Sequence, residues 1–268
     1  MFKWVGGKTQ IIDKIISKIP RTIKCYYEPF VGGGSVFLKI LETPDIHIEH
    51  MVISDINSDL IHTYKTIQMS PNELIQDIQR IINNKPFTEE LYYKLRDDYN
   101  IQPKNTLRAA VLFIILNKTC FRGVYRIGPH GFNVPFGHYK SVNISSDYIL
   151  HVSKLVKNVE FLTCSFQDIF KRQFNIDDFL YLDPPYIQLN KTSFISYNID
   201  KFDINASKEL FELIKKSNVL FLLSNSDIQF VRNYFNEYQI EVVVCRRSIN
   251  SKHPEQTCNE LLISNVKA

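Results

Sequence analysis

The tetrapeptide Asp183-Pro184-Pro185-Tyr186 stands directly after an apolar run, Phe179-Leu180-Tyr181-Leu182. At the end of a strand it would set a carboxylate, a carbonyl and an aromatic face side by side. Two prolines remove two backbone donors and stiffen the chain, which leaves the Pro184 carbonyl as a fixed acceptor next to the Asp183 carboxylate. Such a pair can accept both hydrogens of an exocyclic amine, drawing the nitrogen lone pair out of ring conjugation and making it nucleophilic. Tyr186 adds a flat apolar surface on which a base can stack. No metal, Ser–His pair or cysteine nucleophile enters this chemistry. A plain rigid turn is the competing reading.

A second group of residues suits a cofactor that carries a nucleoside. Glu28-Pro29-Phe30-Val31-Gly32-Gly33-Gly34-Ser35 reads as a strand, a glycine turn and a helix start. Glycines there let backbone approach a ligand at the carboxyl edge of a doubly wound sheet. The following strand ends in Ile53-Ser54-Asp55, and an acid at that place grasps a ribose diol. Three adjacent glycines do not follow the G-x-G-x-x-G dinucleotide pattern, and an ordinary turn with a helix cap is the alternative.

The elements that must position these residues alternate along the chain. A helix follows Gly7, with Ile11, Ile12, Ile15, Ile16 and Ile19 on one face, and stops at Pro20. Strand Tyr26–Glu28 leads through the glycine turn into helix Val36–Leu41, and strand Met51–Ser54 into helix Leu60–Ile67. Residues 70–156 differ, with helices at Pro71–Asn83, Glu89–Tyr99 and Leu107–Leu116, a loop rich in Gly, Pro and aromatics to Lys140, and a further helix. Alternation then returns, with strands near Val159–Leu162, Phe179–Leu182, Val219–Leu223, Ile240–Val244 and Glu260–Ile263 and a helix at Ala206–Lys215. The pattern predicts an α/β fold, a mainly parallel sheet with helices on both faces, interrupted by an inserted, mainly helical module.

Composition narrows the class. The chain has 268 residues, 44% hydrophobic and 22% charged, which suits a globular protein and excludes a disordered or collagen-like one. The longest apolar run, Ala109 to Leu116, is far short of the roughly 18–20 residues needed to span a bilayer. No export signal is visible at the N-terminus, so a soluble, intracellular protein is expected, in a bacterial cytoplasm or the replication compartment of a DNA virus. Cys25, Cys120, Cys164, Cys245 and Cys258 are scattered, without a CxxC or Cys/His cluster, and read as reduced structural thiols. Net charge is +4, but its distribution is uneven. From Tyr99 to Ser146 there is no Asp or Glu, where an even spread would place about five. Lys104, Arg108, Lys118, Arg122, Arg126 and Lys140 give that stretch a net +6 and leave −2 for the remainder. One basic segment on a nearly neutral chain is the asymmetry expected where a single surface meets a polyanion.

Taken in order, the motifs resemble those of Dam-type DNA adenine-N6 methyltransferases, the D12 class of the alpha group, in which the cofactor motif precedes a recognition insert and the DPPY motif follows it. The residues that carry the resemblance are Lys3-Trp4-Val5-Gly6-Gly7-Lys8, Glu28 to Phe37, Ser54 to Leu60, Gly131-Phe132-Asn133-Val134-Pro135-Phe136-Gly137, Asp183 to Tyr186 and Arg246-Arg247-Ser248-Ile249. The resemblance implies a Rossmann-like S-adenosylmethionine-dependent sheet formed by residues 1–69 and 157–268, with residues 70–156 inserted as the target-recognition domain. It implies cofactor contacts at Trp4, Lys8, Asp55 and Asp183, with Phe30, Gly32 and Gly34 lining the methionine and ribose end and Lys8 meeting the cofactor carboxylate. Asp183 and the Pro184 carbonyl would hold the adenine amine and Tyr186 would stack on the ring. Methyl transfer would be a direct displacement from the sulfonium, without a metal, leaving S-adenosylhomocysteine. The target base would leave the duplex to reach the pocket.

The resemblance further implies DNA contacts at Lys3, Phe121, Arg122, Val124, Arg126, Asn133, Pro135 and Tyr139. Arg126 matches the arginine that reads a guanine edge and Phe121 an aromatic that wedges into the duplex. GATC in double-stranded DNA is the implied target, and a monomer or weak dimer the expected state. Three departures bear on sequence specificity. Arg122 stands where the family usually has Asn, the stretch from Arg126 to Phe132 is one residue short and lacks an acid, and His138 replaces a basic residue. Glutamine methylation usually goes with Asn-Pro-Pro-Tyr, so the aspartate favours adenine. RNA adenine and a DNA-binding relic without turnover are the other readings.

Overall fold

A computed structural model describes residues 2–83, 86–139, 141–186, 202–246 and 257–266. Lys140 and the expected motif residues Arg247, Ser248 and Ile249 lie outside the described residues. In chain order the elements are α1 (Ile12–Ser17), β1 (Thr22–Glu28), α2 (Ser35–Leu41), β2 (His47–Asp55), α3 (Ser58–Met69), α4 (Pro71–Ile82), α5 (Glu89–Ile101), α6 (Leu107–Thr119), β3 (Ile127–Gly128) and β4 (Gly131–Phe132). They continue with α7 (Ser146–Leu155), β5 (Val159–Thr163), α8 (Phe166–Phe170), β6 (Phe179–Leu182), α9 (Ile204–Lys216), β7 (Leu220–Ser226), α10 (Gln229–Tyr234), β8 (Gln239–Arg246) and β9 (Thr257–Ser264).

The fold is α/β and Rossmann-like, with a seven-stranded sheet of order β5-β2-β1-β6-β7-β9-β8. β1 pairs in parallel with β2 and with β6, and β6 in parallel with β7. The chain moves outward from β1 on one side to β2 and returns on the other side as β6. The gap between the ends of β1 and β6 is therefore the topological switch point, where open α/β sheets bind ligands beyond the carboxyl ends of their strands. β9 runs antiparallel to both β7 and β8. Its first half consequently lies at the same edge as the carboxyl ends of β6 and β7, with Glu260 opposite Ser226 and Leu182 opposite Leu223.

The residues form two compact units, Met1–Gly7, Gly32–Glu42 and Asp55–Thr163 in the first, and Lys8–Val31, Thr43–Ser54 and Cys164–Ala268 in the second. The second has its core in the sheet, where every residue of β6 is buried, as central parallel strands require. The first is mainly helical. Its centre is α6, where every residue from Ala109 to Asn117 is buried, the mark of a helix covered on all sides. Thr106 caps α6 by accepting from the Ala109 N–H, and Asn57 caps α3 by accepting from that of Leu60.

Every long element expected from periodicity is present, with ends shifted by a few residues. β1 and β2 begin earlier than expected because exposed Thr22 and Lys24 in β1, and His47, Glu49 and His50 in β2, break the apolar pattern, so hydropathy marks only the fully buried ends. The loop expected between Leu116 and Lys140 contains the hairpin β3–β4, joined by Ile127 opposite Phe132 and Gly128 opposite Gly131. The short helices α8 and α10 were not expected. α8 has only five residues and is set by a capping box between Ser165 and Asp168 rather than by a hydrophobic period. Among the described residues, no helix is long and apolar enough to cross a membrane.

Candidate active site and nucleic-acid face

In the second unit, the carboxyl end of β6 delivers Asp183 and Tyr186 into a charged cluster. Lys8, in the short turn before α1, is only 3% exposed and its ammonium lies 2.9 Å from Asp183 Oδ1. The same ammonium is 3.6 Å from Glu260 Oε2 and 4.8 Å from the centre of the Tyr186 ring. The Tyr186 hydroxyl donates to Glu260 Oε2 at 3.1 Å. Pro184 is buried and Tyr186 half-buried. One ammonium thus serves two carboxylates, and the cluster carries a net negative charge when both acids are ionised.

Burial raises the Asp183 carboxyl to about 6, opposed by the charge and hydrogen bond of Lys8 and reinforced by the charge of Glu260. Burial works against the Lys8 charge, but its two carboxylate partners outweigh it and hold the ammonium above its usual range. The Tyr186 hydroxyl is pushed well above its usual value by burial and then by both carboxylates. At the end of neighbouring β1, Glu28 is 2% exposed and accepts from the Tyr26 hydroxyl at 2.6 Å. Phe30 packs against Phe166 and Phe202, with ring centres 5.7 and 5.6 Å away.

In the first unit, Trp4, Gly32, Gly34 and Asp55 form a tight turn. The Asp55 carboxylate accepts the Gly32 N–H at 3.1 Å on one oxygen and the Asn57 N–H at 3.0 Å on the other. The Trp4 indole lies on the glycines, so a Cβ at Gly32 would come within 2.8 Å of it. Gly34, at φ 71°, caps α2 in the left-handed region, and a Cβ there would clash with the Tyr64 hydroxyl. The glycines are therefore required by close packing as well as by backbone angle. The Trp4 indole also stacks on Tyr125, with ring centres 5.9 Å apart.

The same unit gathers the basic and aromatic residues expected to meet nucleic acid. Phe121, Arg122, Arg126, Asn133 and Pro135 are exposed, and Lys3, Val124 and Tyr139 are half-buried. Arg126 is not loose: its Nε donates to Asn133 Oδ1 at 2.6 Å and Nη2 to the Asn133 carbonyl at 3.2 Å, across the β3–β4 hairpin. The Lys3 ammonium sits 3.6 Å above the Tyr139 ring and donates to the Lys118 carbonyl at 2.9 Å. The structure thus places Lys3 beside the loop that follows α6.

Three supporting groups were not singled out from sequence. Glu260 entered only as the start of a strand. Asn117, 4% exposed, brackets the Lys3 peptide, accepting its N–H at 2.9 Å and donating to its carbonyl at 2.8 Å. Asp59 accepts from the Tyr99 hydroxyl and, at 2.9 Å, from that of Tyr125. The one sequence signal was polarity out of place: Glu260 opens an apolar strand and Asn117 closes an apolar helix. Among the described residues, no group of three or more His, Cys, Asp or Glu side chains is arranged to hold a metal ion.

The family model of the D12 class N6 adenine-specific DNA methyltransferases matches residues 4–249. The Type II methyltransferase M.MjaIII of Methanocaldococcus jannaschii is 37% identical over 286 residues, covering 98% of this chain and 97% of its own. The DNA adenine methylase of Escherichia coli K12 is 33% identical over 256 residues, covering 93% and 88%. That of Haemophilus influenzae is 32% identical over 261 residues, covering 95% and 88%. With DPPY at the end of β6 and the family match spanning both units, the chain belongs to the D12 class of N6 adenine-specific DNA methyltransferases.

Proposed function

We propose that the chain transfers the methyl group of S-adenosylmethionine to N6 of adenine in duplex DNA, at GATC, working on a base turned out of the helix. The observation that carries this reading is Asp183, ion-paired to Lys8 and followed by Pro184 and Tyr186 at the carboxyl end of β6. In this reading Asp183 and the Pro184 carbonyl accept the two amine hydrogens and Tyr186 stacks on the flipped ring. The cofactor supplies an electrophilic methyl group on its sulfonium. Asp55 suits the ribose end, because β2 ends at it, where an acid beyond the carboxyl edge of the sheet accepts from a ribose diol. Trp4, Lys8, Phe30, Gly32, Gly34 and Asp183 complete the cofactor set, and two carboxylates around one ammonium suit a cationic ligand.

Residues 70–156 act as the target-recognition insert, within the catalytic domain of residues 1–69 and 157–268. Arg126, pre-oriented by Asn133, reads a guanine edge, and Phe121 wedges into the duplex. Lys3, Arg122, Val124, Pro135 and Tyr139 complete the face that meets the duplex, and the protein works as a monomer or weak dimer inside the cell.

The test is transfer of labelled methyl to duplexes carrying GATC, each single-base variant of it, or no such site. Label on adenine in GATC alone is the expected result. Label spread over related sites keeps the chemistry and overturns the GATC assignment. A folded protein that labels no duplex overturns the reading as a whole.

A further inference from the structure

Glu260 has no evident place in a minimal stability argument. Lys8 is already matched by Asp183 at 2.9 Å, and a second carboxylate beside a single buried ammonium adds an unbalanced negative charge. It also interrupts β9 just before Leu261, Leu262, Ile263 and Ser264, all of which are buried. One of its oxygens, Oε2, both accepts from the Tyr186 hydroxyl and faces Lys8. The Tyr186 ring is therefore held at two places, by Glu260 at its hydroxyl and by the Lys8 ammonium, 4.8 Å from the ring centre.

We propose that Glu260 is a positioning residue for methyl transfer: it fixes the Tyr186 ring for stacking and, by sharing Lys8, keeps Asp183 a strong acceptor for the target amine. The proposal rests on the adenine-methylating reading of Asp183 and Tyr186 given above. The second half follows from charge. Lys8 from the turn before α1, Glu260 from β9, and Tyr186 and Tyr181 on either side in sequence are the titratable groups around Asp183. Of these, Lys8 favours its ionised form and Glu260 opposes it. Removing the Glu260 charge leaves Lys8 to Asp183 alone, which makes Asp183 less basic and a weaker acceptor.

Two substitutions separate the two halves. Glu260→Gln keeps an acceptor for the Tyr186 hydroxyl and loses only the charge, whereas Glu260→Ala loses both. The Asp183 carboxyl is followed by carbon-13 NMR in aspartate-labelled protein, assigned with Asp183→Asn. Its midpoint is expected to fall by roughly 1 pH unit in Glu260→Gln, and an unmoved midpoint overturns the charge role. With duplex DNA as acceptor, Glu260→Ala is expected to lose at least about tenfold in kcat with little change in KM for S-adenosylmethionine. Glu260→Gln loses far less, and adding Tyr186→Phe to Glu260→Ala costs little more, since both cut the same hydrogen bond. Fully additive losses overturn the positioning role. If wild-type protein methylates no DNA, the functional reading falls, while the carboxyl titration still decides whether Glu260 acts on Asp183.

Discussion

Arg122 sits at φ 57°, in the left-handed region that an arginine occupies only at a cost. Asparagine tolerates that region best among residues with a Cβ, and asparagine is what the family resemblance places there. Arg122 thus places a cation on an exposed loop, in the proposed DNA face, at a cost in backbone conformation. Arg122→Asn is therefore expected to stabilise the folded protein by about 1 kcal/mol, read from urea unfolding. The same variant is expected to bind DNA more weakly on all sequences, with a salt dependence reduced by about one phosphate contact. A variant that is no more stable would show that the Arg122 backbone is not strained.

At the same scale, Asp183 sets a pH window. Burial raises its carboxyl to about 6, against a usual value of 3.8. A raised acid contributes most to stability while protonated, and that contribution disappears as pH rises from about 4 through 6. Asp183→Asn is thus expected to gain on wild type between pH 4 and pH 7, by about 2 kcal/mol in unfolding free energy, while losing methyl transfer. In wild type, kcat is expected to fall below pH 6, because a protonated, neutral Asp183 is a much weaker acceptor for the amine hydrogen than the carboxylate. A flat difference across that range would mean that Asp183 titrates as an ordinary surface acid.

At the scale of elements, the turn between Gly32 and Gly34 and the bracket at Asn117 do the positioning. Asn117 Oδ1 and Nδ2 satisfy both backbone groups of Lys3, tying the N-terminal segment that carries Lys3 and Trp4 to the end of α6. Asn117→Ala leaves those groups without their partner and is expected to cost about 2 kcal/mol, measured by chemical denaturation. It is also expected to raise KM for DNA more than it lowers affinity for cofactor. Equal losses in both would indicate general unfolding instead of a misplaced Lys3.

These elements also show what the sequence reveals and what it hides. α6 and the buried ends of β1, β2 and β6 were legible because burial leaves a period or an apolar run. α8 and α10, at five and six residues, are too short to carry one. Asp183, Tyr186, Asp55 and Lys8 were legible as ordered motifs. Glu260 and Asn117 were not, because a lone polar residue beside an apolar run does not name its distant partners, which for Asn117 is Lys3 and for Glu260 are Lys8 and Tyr186. Such a pairing exists only once β9 folds back antiparallel at the edge where β6 ends.

For the whole molecule, the cations proposed to meet DNA and the charged cluster at Asp183 fall in different units. The exposed cations Arg122 and Arg126, together with Lys3 and Lys118, belong to the first unit, whereas Lys8, Asp183 and Glu260 belong to the second. If duplex DNA binds through the first, as proposed, binding is mainly a matter of counterion release and should fall steeply with salt, whereas a buried ion pair is screened little. If about five cations meet phosphates, the logarithm of the DNA association constant falls against the logarithm of salt with a slope of about −4 to −5. Over the same range kcat at saturating DNA and affinity for S-adenosylmethionine are expected to change less than about twofold, since the Lys8–Asp183 contact is shielded from solvent ions. Steady-state kinetics between 50 and 200 mM salt reads both quantities at once. A kcat that falls in parallel with DNA affinity would place the salt-sensitive contacts at the chemical step, and the division of labour between the two units would not hold.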